Sequence, residues 1–267
     1  MENKFPIQVK KMQKMETTYI AFGQGTKMPF ITCDEETFND QVWVFSTEKK
    51  AKEITQKFKD ENQDFMMIVR MENAQLLGFY SSLYLLGVNE IVFVEEEQTT
   101  KMPLDKVVVP PDYSKLPKEK QPVVNPQLQL TGLYFMQEIY RNKPNNEKPE
   151  LRNLEEEMAV NLVRSRLLMA LEVQEKGEVP SGSNIKIPCV KNKEGKMFQP
   201  FFTDHNELKK FHIENRFQVN MFDFVNVEKM LGAGVDGIVI NPQSMNIVIS
   251  KDTIPGLLQR FAQIWAE

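Results

Sequence analysis

Cysteine and histidine are scarce in this chain of 267 residues, which contains two of each. Cys33 and Cys189 are too few for a disulfide framework, and they lie too far apart in sequence to suggest a bridge. His205 and His212 are too few for a histidine-based metal centre. We therefore expect two reduced thiols, no metal and no other cofactor.

A long apolar run is also missing. The most apolar stretch, residues 74–88, contains Gln75, Gly78 and other polar or small residues, and it is too short to span a bilayer. The first residues contain no apolar run of signal-peptide length. These features predict a cytoplasmic protein with no removed segment and no membrane partner.

No excess of positive charge marks the chain. With 33 basic and 37 acidic residues the net charge is −4, whereas a nucleic-acid-binding domain is usually basic. One lysine-rich segment, residues 49–59, could touch RNA or an acidic partner. Glu48, Glu53 and Asp60 dilute it, which favours a solvated helix face.

The hydrophobic content of 41% is that of a globular core. Short β-rich runs alternate with segments of helical period, so the pattern predicts an α/β (α+β) fold of mixed sheets with helices packed on them. Predicted strands cover residues 18–32 (a hairpin), 41–46, 65–70, 90–94, 184–190, 197–202, 218–222, 237–240 and 246–250. Predicted helices cover residues 47–59, 73–86, 127–141, 151–173, 204–211, 225–231 and 254–265.

The strongest helical pattern covers residues 151–173. Its apolar stripe recurs at spacings of three and four residues. The stripe consists of Leu151, Leu154, Met158, Leu162, Ser165 and Met169. In the last predicted helix the buried positions are Leu257, Leu258, Phe261 and Trp265.

Both halves of the chain follow one order of elements. Gly87-Val88-Asn89 in the first and Gly234-Val235-Asp236 in the second each lead into an apolar strand. The order predicts two related modules, residues 1–109 and 151–267, joined by a proline-rich linker and connecting helix at 110–150. The alternative is that any α/β chain alternates in this way.

The second half contains the motifs Phe202-Thr203, Gly234-Val235-Asp236-Gly237 and Asn241-Pro242. Together they resemble the SseB-like family, the enhanced serine sensitivity proteins. The resemblance covers residues 151–261 well and the first half more loosely, where Glu95-Glu96 stand in place of Asn-Pro. It implies two tandem α/β modules, and it brings no established catalytic residues to transfer.

The turn around residue 236 is predicted to be structural. We expect the Asp236 carboxylate to brace nearby backbone N–H groups, and Gly234 or Gly237 to take positive φ. Asn241 and Pro242 should form the hairpin turn, with Pro242 at its favoured second position. Residues 232–237 also match the dinucleotide pattern GxGxxG, but they follow a predicted helix and open a strand, the reverse of the order that pattern requires.

The remaining candidates are weaker. His205 near a helix start could transfer a proton, but no Ser or Cys nucleophile lies close in sequence, and a solvated histidine is favoured. A role as small buried apolar residues explains Cys33 and Cys189 as well as thiol chemistry does, and no activation by a helix terminus is evident. Consecutive glutamates at 95–97 and 155–157 point in different directions and cannot converge on a cation.

These observations predict a non-enzymatic interaction or regulatory module with a protein partner. No catalytic, cofactor-binding or metal-ligating residue is predicted. Two alternatives stay open: an enzyme of unknown type with its site between the modules, and, less favoured, a nucleic-acid-associated protein.

Overall fold

The computed structural model describes residues 5–96, 98–173, 185–211 and 217–261. The chain forms two compact units. Unit 1 consists of Met1–Lys115 and Gln129–Leu154, and unit 2 consists of Leu116–Leu128 and Glu155–Glu267. Unit 1 therefore includes residues 129–154, most of which lie in the segment that the sequence assigned to a linker and connecting helix.

Helices and strands are interspersed along the described part of the chain. As far as residue 115 they are α1 (Phe5–Lys14), β1 (Thr17–Gly23), β2 (Ile31–Cys33), β3 (Asp40–Phe45), α2 (Glu48–Asn62), β4 (Met66–Glu72), α3 (Asn73–Leu83), β5 (Glu90–Glu95), β6 (Gln98–Pro103) and α4 (Leu104–Val107). Beyond it they are α5 (Pro126–Tyr140), α6 (Leu151–Val163), β7 (Arg166–Val173), β8 (Ile185–Lys186), β9 (Val190–Lys191), β10 (Met197–Phe202), α7 (His205–Phe211), β11 (Phe217–Asp223), α8 (Val227–Met230), β12 (Gly237–Ile240), β13 (Ile247–Ser250) and α9 (Ile254–Arg260). In this described part, no helix combines the length and the apolar character that crossing a bilayer requires.

Each unit is built on one mixed sheet, and the two sheets have the same plan. The strand order is β4-β1-β3-β5-β6 in unit 1 and β11-β7-β10-β12-β13 in unit 2. The pairs β3–β5 and β10–β12 are parallel, and the other neighbours in these orders are antiparallel. The predicted fold class is confirmed, with two similar modules, and the predicted strands at 90–94 and 237–240 hold equivalent places.

The Gly-Val-Asn and Gly-Val-Asp motifs have the same backbone geometry. Gly87 and Gly234 both take the left-handed conformation, with φ of 76° and 75°. The valines that follow, Val88 and Val235, are both buried. Each motif therefore turns the chain from a helical segment into the parallel strand of its sheet.

The third residue of each motif ties that strand to its parallel neighbour. The Asn89 Oδ1 accepts from the Asp40 N–H at 3.0 Å, and the Asp236 Oδ2 accepts from the Met197 N–H at 2.7 Å. The backbone N–H of Asn89 and Asp236 donates in return to the same two residues, at 3.1 and 2.8 Å. Asn and Asp are equivalent here because each has an acceptor oxygen on a short side chain.

Helix α2 covers one face of the first sheet. Thr47 caps it, since its hydroxyl accepts from the Lys50 N–H at 3.3 Å, and Gln63 ends it with φ of 60°. Ala51 of α2 is fully buried in a cluster with Phe45 and Val92 of the strands below. In unit 2 the equivalent helix is α7, of which seven residues are described.

Helix α5 completes unit 1 through three side chains. The Gln137 amide forms two buried hydrogen bonds with the backbone N–H and C=O of Ile31 in β2, both of 2.9 Å. The Tyr134 hydroxyl donates to Asp40 at 2.7 Å. Arg141, beside the helix end, donates to an Asp64 that is almost wholly buried. Strand β2 therefore depends on a segment about one hundred residues away in the chain.

The prediction of one helix over residues 151–173 is wrong beyond residue 163. Helix α6 ends at Val163, and residues 166–173 form strand β7. This strand lies between β10 and β11 and is covered on both faces, so successive residues from Leu167 to Ala170 are buried. A continuous apolar run satisfies helical and strand periods equally, which is why the pattern extended the helix too far.

Smaller differences concern short or polar elements. The sequence predicted neither α1 nor the polar strand β6. The strand predicted at 184–190 is two short strands, β8 and β9, and the helix predicted at 225–231 begins as a 3-10 turn. Trp265, predicted to be buried, lies outside the described residues.

Candidate functional site

The turn before β12 is held by backbone conformation and by close packing. Gly234 supplies the positive φ, and nothing lies within 4 Å of the position that a Cβ would take there. Gly237 has no positive φ; its lack of a side chain matters because a Cβ would overlap the Ile249 carbonyl oxygen of β13. Asp236 joins β10 as described above, and its carbonyl accepts from the Lys251 N–H at 2.8 Å.

Asn241 and Pro242 form the turn at the other end of β12. Asn241 is fully buried with φ of 49°, a conformation that Asn tolerates better than most residues. Its side chain accepts from the Thr203 N–H at 3.0 Å and donates to the Thr203 hydroxyl at 2.9 Å. Pro242 holds the second position of a turn that is closed by the Ser244 N–H, which donates to the Asn241 C=O at 3.0 Å.

A buried polar cluster continues from this turn at the carboxyl ends of β10 and β12. The Ser244 hydroxyl donates to Glu207 at 2.5 Å, and Lys210 pairs with the other carboxylate oxygen at 2.5 Å. Asp204 accepts from the Thr203 hydroxyl and from the first N–H groups of α7. Ligands often bind at this end of a parallel strand pair. Here each of these side chains has a partner within the cluster, and the arrangement locks α7 to the turn.

The other residues considered in the sequence do not converge. His205 is exposed at the start of α7, and His212 lies outside the described residues. Cys33 and Cys189 are both free thiols, in β2 and just before β9. Cys33 is exposed and Cys189 half-buried, so neither is the buried residue that the sequence suggested. Partial desolvation, and at Cys33 also the negative charge of Asp40, raises the pKa of each thiol, which disfavours the reactive thiolate. The described residues contain no group of His, Cys, Asp and Glu that could hold a metal ion.

The charged runs are engaged in local ion pairs. On α2, Lys52 pairs with Glu48 at 2.5 Å and Lys50 with Glu53 at 3.2 Å, which leaves less positive charge for a polyanion. Glu95 pairs with Lys11 of α1. Glu156 of α6 pairs with Arg260 at 2.8 Å.

A small hollow of about 210 Å³ lies in unit 1 between α5 and β2. It contains two acidic side chains, Asp64 and Glu138, that share Arg141 at 3.0 and 2.6 Å. Burial raises the pKa of the Asp64 carboxyl, although the nearby Arg141 opposes that shift. The guanidinium compensates both acids, so the group stabilises the position of α5.

An exposed surface is found instead at strand β11, the edge of the second sheet. In the described part of the chain β11 pairs only with β7, with Val219 opposite Ala170 and Met221 opposite Leu168. Val219 and Met221 are 44% and 43% exposed. They lie on the face that carries α7, and α2 packs over the corresponding face of unit 1.

The backbone of Val219 and Met221 also points outward. The Phe224 N–H donates to the Ser165 C=O at 2.9 Å, so alternate residues Ser165, Leu167 and Met169 face β11. Leu168 and Ala170 then face β10, and the residues opposite them on β11 direct their N–H and C=O groups away from the sheet. The Met221 N–H agrees with this, since it donates only to the neighbouring Asn220 side chain, at 3.0 Å, among the bonds of the described residues. We call these two residues and their outward backbone groups the β11 edge.

A hollow of about 490 Å³ opens at the Met221 end of the β11 edge. Its lining includes Val123 and Met221 as apolar surface and Arg164, Arg166 and Asp223 as charged groups. Arg166 pairs with Asp223 at 3.1 Å and also approaches the Met221 sulfur at 3.9 Å. Arg164 is exposed and forms no ion pair with a described residue.

Sequence reasoning predicted β11 as a strand but did not single out Val219, Met221 or Arg164. A signal was present, because Gln218 and Asn220 alternate with the two apolar residues. Such alternation marks a strand that is solvated on one face, but it does not say which strand lies at the edge of a sheet.

The comparison with protein families bears on the second unit. Residues 150–255 match the SseB protein N-terminal domain. The match confirms the resemblance inferred from Phe202-Thr203, residues 234–237 and Asn241-Pro242. The turn before β12 and the β11 edge both lie inside the matched residues 150–255. No curated protein matches the chain.

Two solved structures align with the chain along most of its length. Tic22 from Plasmodium falciparum is 12% identical, with 96% of this chain and 98% of that chain covered and a TM-score of 0.23. Anabaena Tic22, described as a protein of protein transport, is 9% identical, with 86% of each chain covered and a TM-score of 0.22. At these TM-scores the likeness says nothing about function.

Proposed function

We propose that this protein is a non-enzymatic interaction module that binds a protein partner along the β11 edge. The observation that carries the proposal is the combination of outward backbone groups with exposed Val219 and Met221 on one strand. Open sheet edges pair readily with extended chains, and pockets beside them select side chains. The polar clusters around Asn241 and Asp64 support the non-enzymatic part, since their members are engaged with one another.

A cytoplasmic location is part of the same proposal. It is supported by the scarcity of cysteine in the chain, whose two residues Cys33 and Cys189 we expect to be reduced, as is usual in a reducing compartment. Fractionation of cells that express the full chain, followed by alkylation of free thiols, tests it. A disulfide on either cysteine in freshly isolated protein would contradict the location.

We also propose that the two units descend from one duplicated module. The shared strand order and the matching roles of Asn89 and Asp236 support it. An experimental structure tests it directly by superposition of the ten strands, with Gly87 placed on Gly234. If the strands superpose only in another register, the common origin is wrong.

The binding surface is tested with a photo-crosslinking residue at Val219. The matched control carries it at Val248, an equally exposed valine on β13 at the opposite edge of the same sheet. We expect one discrete adduct, through the same partner segment, from position 219 and not from 248.

The identified partner is then purified and titrated with two variants. Val219→Pro removes an outward N–H that β7 does not use, whereas Val219→Thr keeps it with a similar shape. Loss of this hydrogen bond should weaken binding by about tenfold in the proline variant alone. Equal crosslinking at both sites, or full affinity of Val219→Pro, would refute the β11 edge as the surface.

A further inference from the structure

We infer that the β11 edge and its hollow select an extended segment whose alternate side chains, all on one face, are apolar beside Val219 and Met221 and acidic where the segment reaches the hollow. The inference rests on the proposed function and adds the chemistry of the bound chain. A strand paired with β11 continues the sheet, and alternate side chains then fall on the face of Val219 and Met221.

The apolar requirement follows from that face. Val219 and Met221 lie beside Ala170 and Leu168 of the core, and the hollow opens at Met221. Methionine adapts its shape to different apolar partners, so this position selects for apolar character more than for one residue type. A partner side chain placed here covers surface that α7 leaves exposed.

The acidic requirement follows from the arginines of the rim. The charged side chains lining the hollow are Arg164, Arg166 and Asp223. Asp223 pairs with Arg166, which leaves the Arg164 guanidinium as the cation without an ion-pair partner among the described residues. A guanidinium binds a carboxylate through two parallel hydrogen bonds. A lysine of the partner would meet net positive charge at the same place.

Three labelled peptides test the selection by fluorescence anisotropy with the full chain: TETVTVTET, TQTVTVTQT and TKTVTVTKT, in which the valines and the varied residues lie on one face of an extended strand. They share the same apolar positions and differ only in charge. We expect the glutamate peptide to bind about fivefold more tightly than the glutamine peptide, the size of an exposed charge pair, and the lysine peptide to bind most weakly. The difference should shrink at high salt.

Two variants assign the preference to the hollow. Arg164→Gln should abolish the difference between the glutamate and glutamine peptides while leaving the affinity for the glutamine peptide unchanged. The matched control is Arg152→Gln, which removes another exposed arginine that does not line the hollow, and should change nothing. Equal binding of all three peptides, or a preference that survives Arg164→Gln, would overturn the acidic selection.

Hydrogen exchange separates this result from the proposed function. On addition of the glutamate peptide, the outward amides of Val219 and Met221 should become protected in the wild-type chain. Protection by all three peptides alike would retain the β11 edge as the surface and reject the acidic selection. Absence of protection at both amides in a bound complex would reject both, and it needs no variant that could fail to fold.

Discussion

Substitution of Gly237 by alanine should be among the most damaging single changes in unit 2. A Cβ on Gly237 would overlap the Ile249 carbonyl oxygen and lie 3.0 Å from the Ser250 Cα, inside the optimum of about 3.5–4.0 Å between carbon atoms. Both neighbours are backbone atoms of β13, so relief requires the two strands to separate where Gly237 pairs with Ser250. Overpacking of this kind costs up to about 3 kcal/mol.

Two other glycines of the same segment make a graded comparison. Gly234→Ala meets no atom within 4 Å but places a side chain at φ of 75°, which costs about 1 kcal/mol. Gly232→Ala has neither problem, because its nearest neighbour is Ile187 at 3.5 Å, and should change the free energy of unfolding by less than about 0.5 kcal/mol.

Differential scanning calorimetry measures the series. For a unit of about 125 residues, 1 kcal/mol lowers Tm by about 4 °C, so the expected decreases are about 12 °C, 4 °C and less than 2 °C for positions 237, 234 and 232. Gly234→Asn should recover part of the loss at 234, since Asn tolerates positive φ. A Gly237→Ala protein that melts within 1–2 °C of the wild type, or a larger loss at 234 than at 237, would refute this reasoning.

Three further predictions concern polar side chains. Asp236→Ala should lower the free energy of unfolding by about 1–2 kcal/mol, because the Met197 N–H of β10 loses its acceptor. Urea unfolding measures this change. Loss of peptide binding with unchanged stability would instead make the turn a binding site. Asn241→Ala should cost about 3 kcal/mol, since two buried hydrogen bonds and a tolerated positive φ are lost together, and Asn241→Gly should cost measurably less in the same assay. Lys101 holds the pKa of Asp34 well below its usual 3.8, so the stability from this pair is present at neutral pH and is lost as the pH falls below that value. Unfolding at several pH values should therefore show Lys101→Met less stable than the wild type at pH 7, with a difference that narrows below about pH 4, whereas a constant difference would contradict the assignment.

Much of the fold could be predicted because local patterns agree with the tertiary structure. Thr47 caps α2 and Gly87 ends a helical segment, and both signals are readable without any knowledge of the sheet. The error at residues 166–173 has a different origin, since burial on both faces removes the alternation that distinguishes a strand. Strand β6, in contrast, is so polar that no apolar pattern in its sequence marks it as a strand.

The candidate site was less predictable than the fold. The exposure of Val219 depends on where β11 lies in the sheet. The exposed Arg164 guanidinium becomes part of a candidate site only because the fold places it in the hollow that Met221 also lines, and Met221 is distant in sequence. The sequence predicted that the Asp236 carboxylate braces backbone N–H groups nearby in the chain, whereas it accepts from the Met197 N–H of β10, 39 residues away, a partner that a single sequence does not reveal.

The division of the chain also has a consequence for synthesis on the ribosome. Residues 1–115 emerge first, yet strand β2 needs Gln137 for both backbone groups of Ile31, and Asp64 needs Arg141. The polar groups of the nascent first unit therefore stay unsatisfied while the next 13 residues, which belong to unit 2, are added. Chain termination between residues 115 and 129 would release a sheet without its closing helix, a species prone to aggregation. Unit 1 is therefore completed only after the first segment of unit 2 has been synthesised.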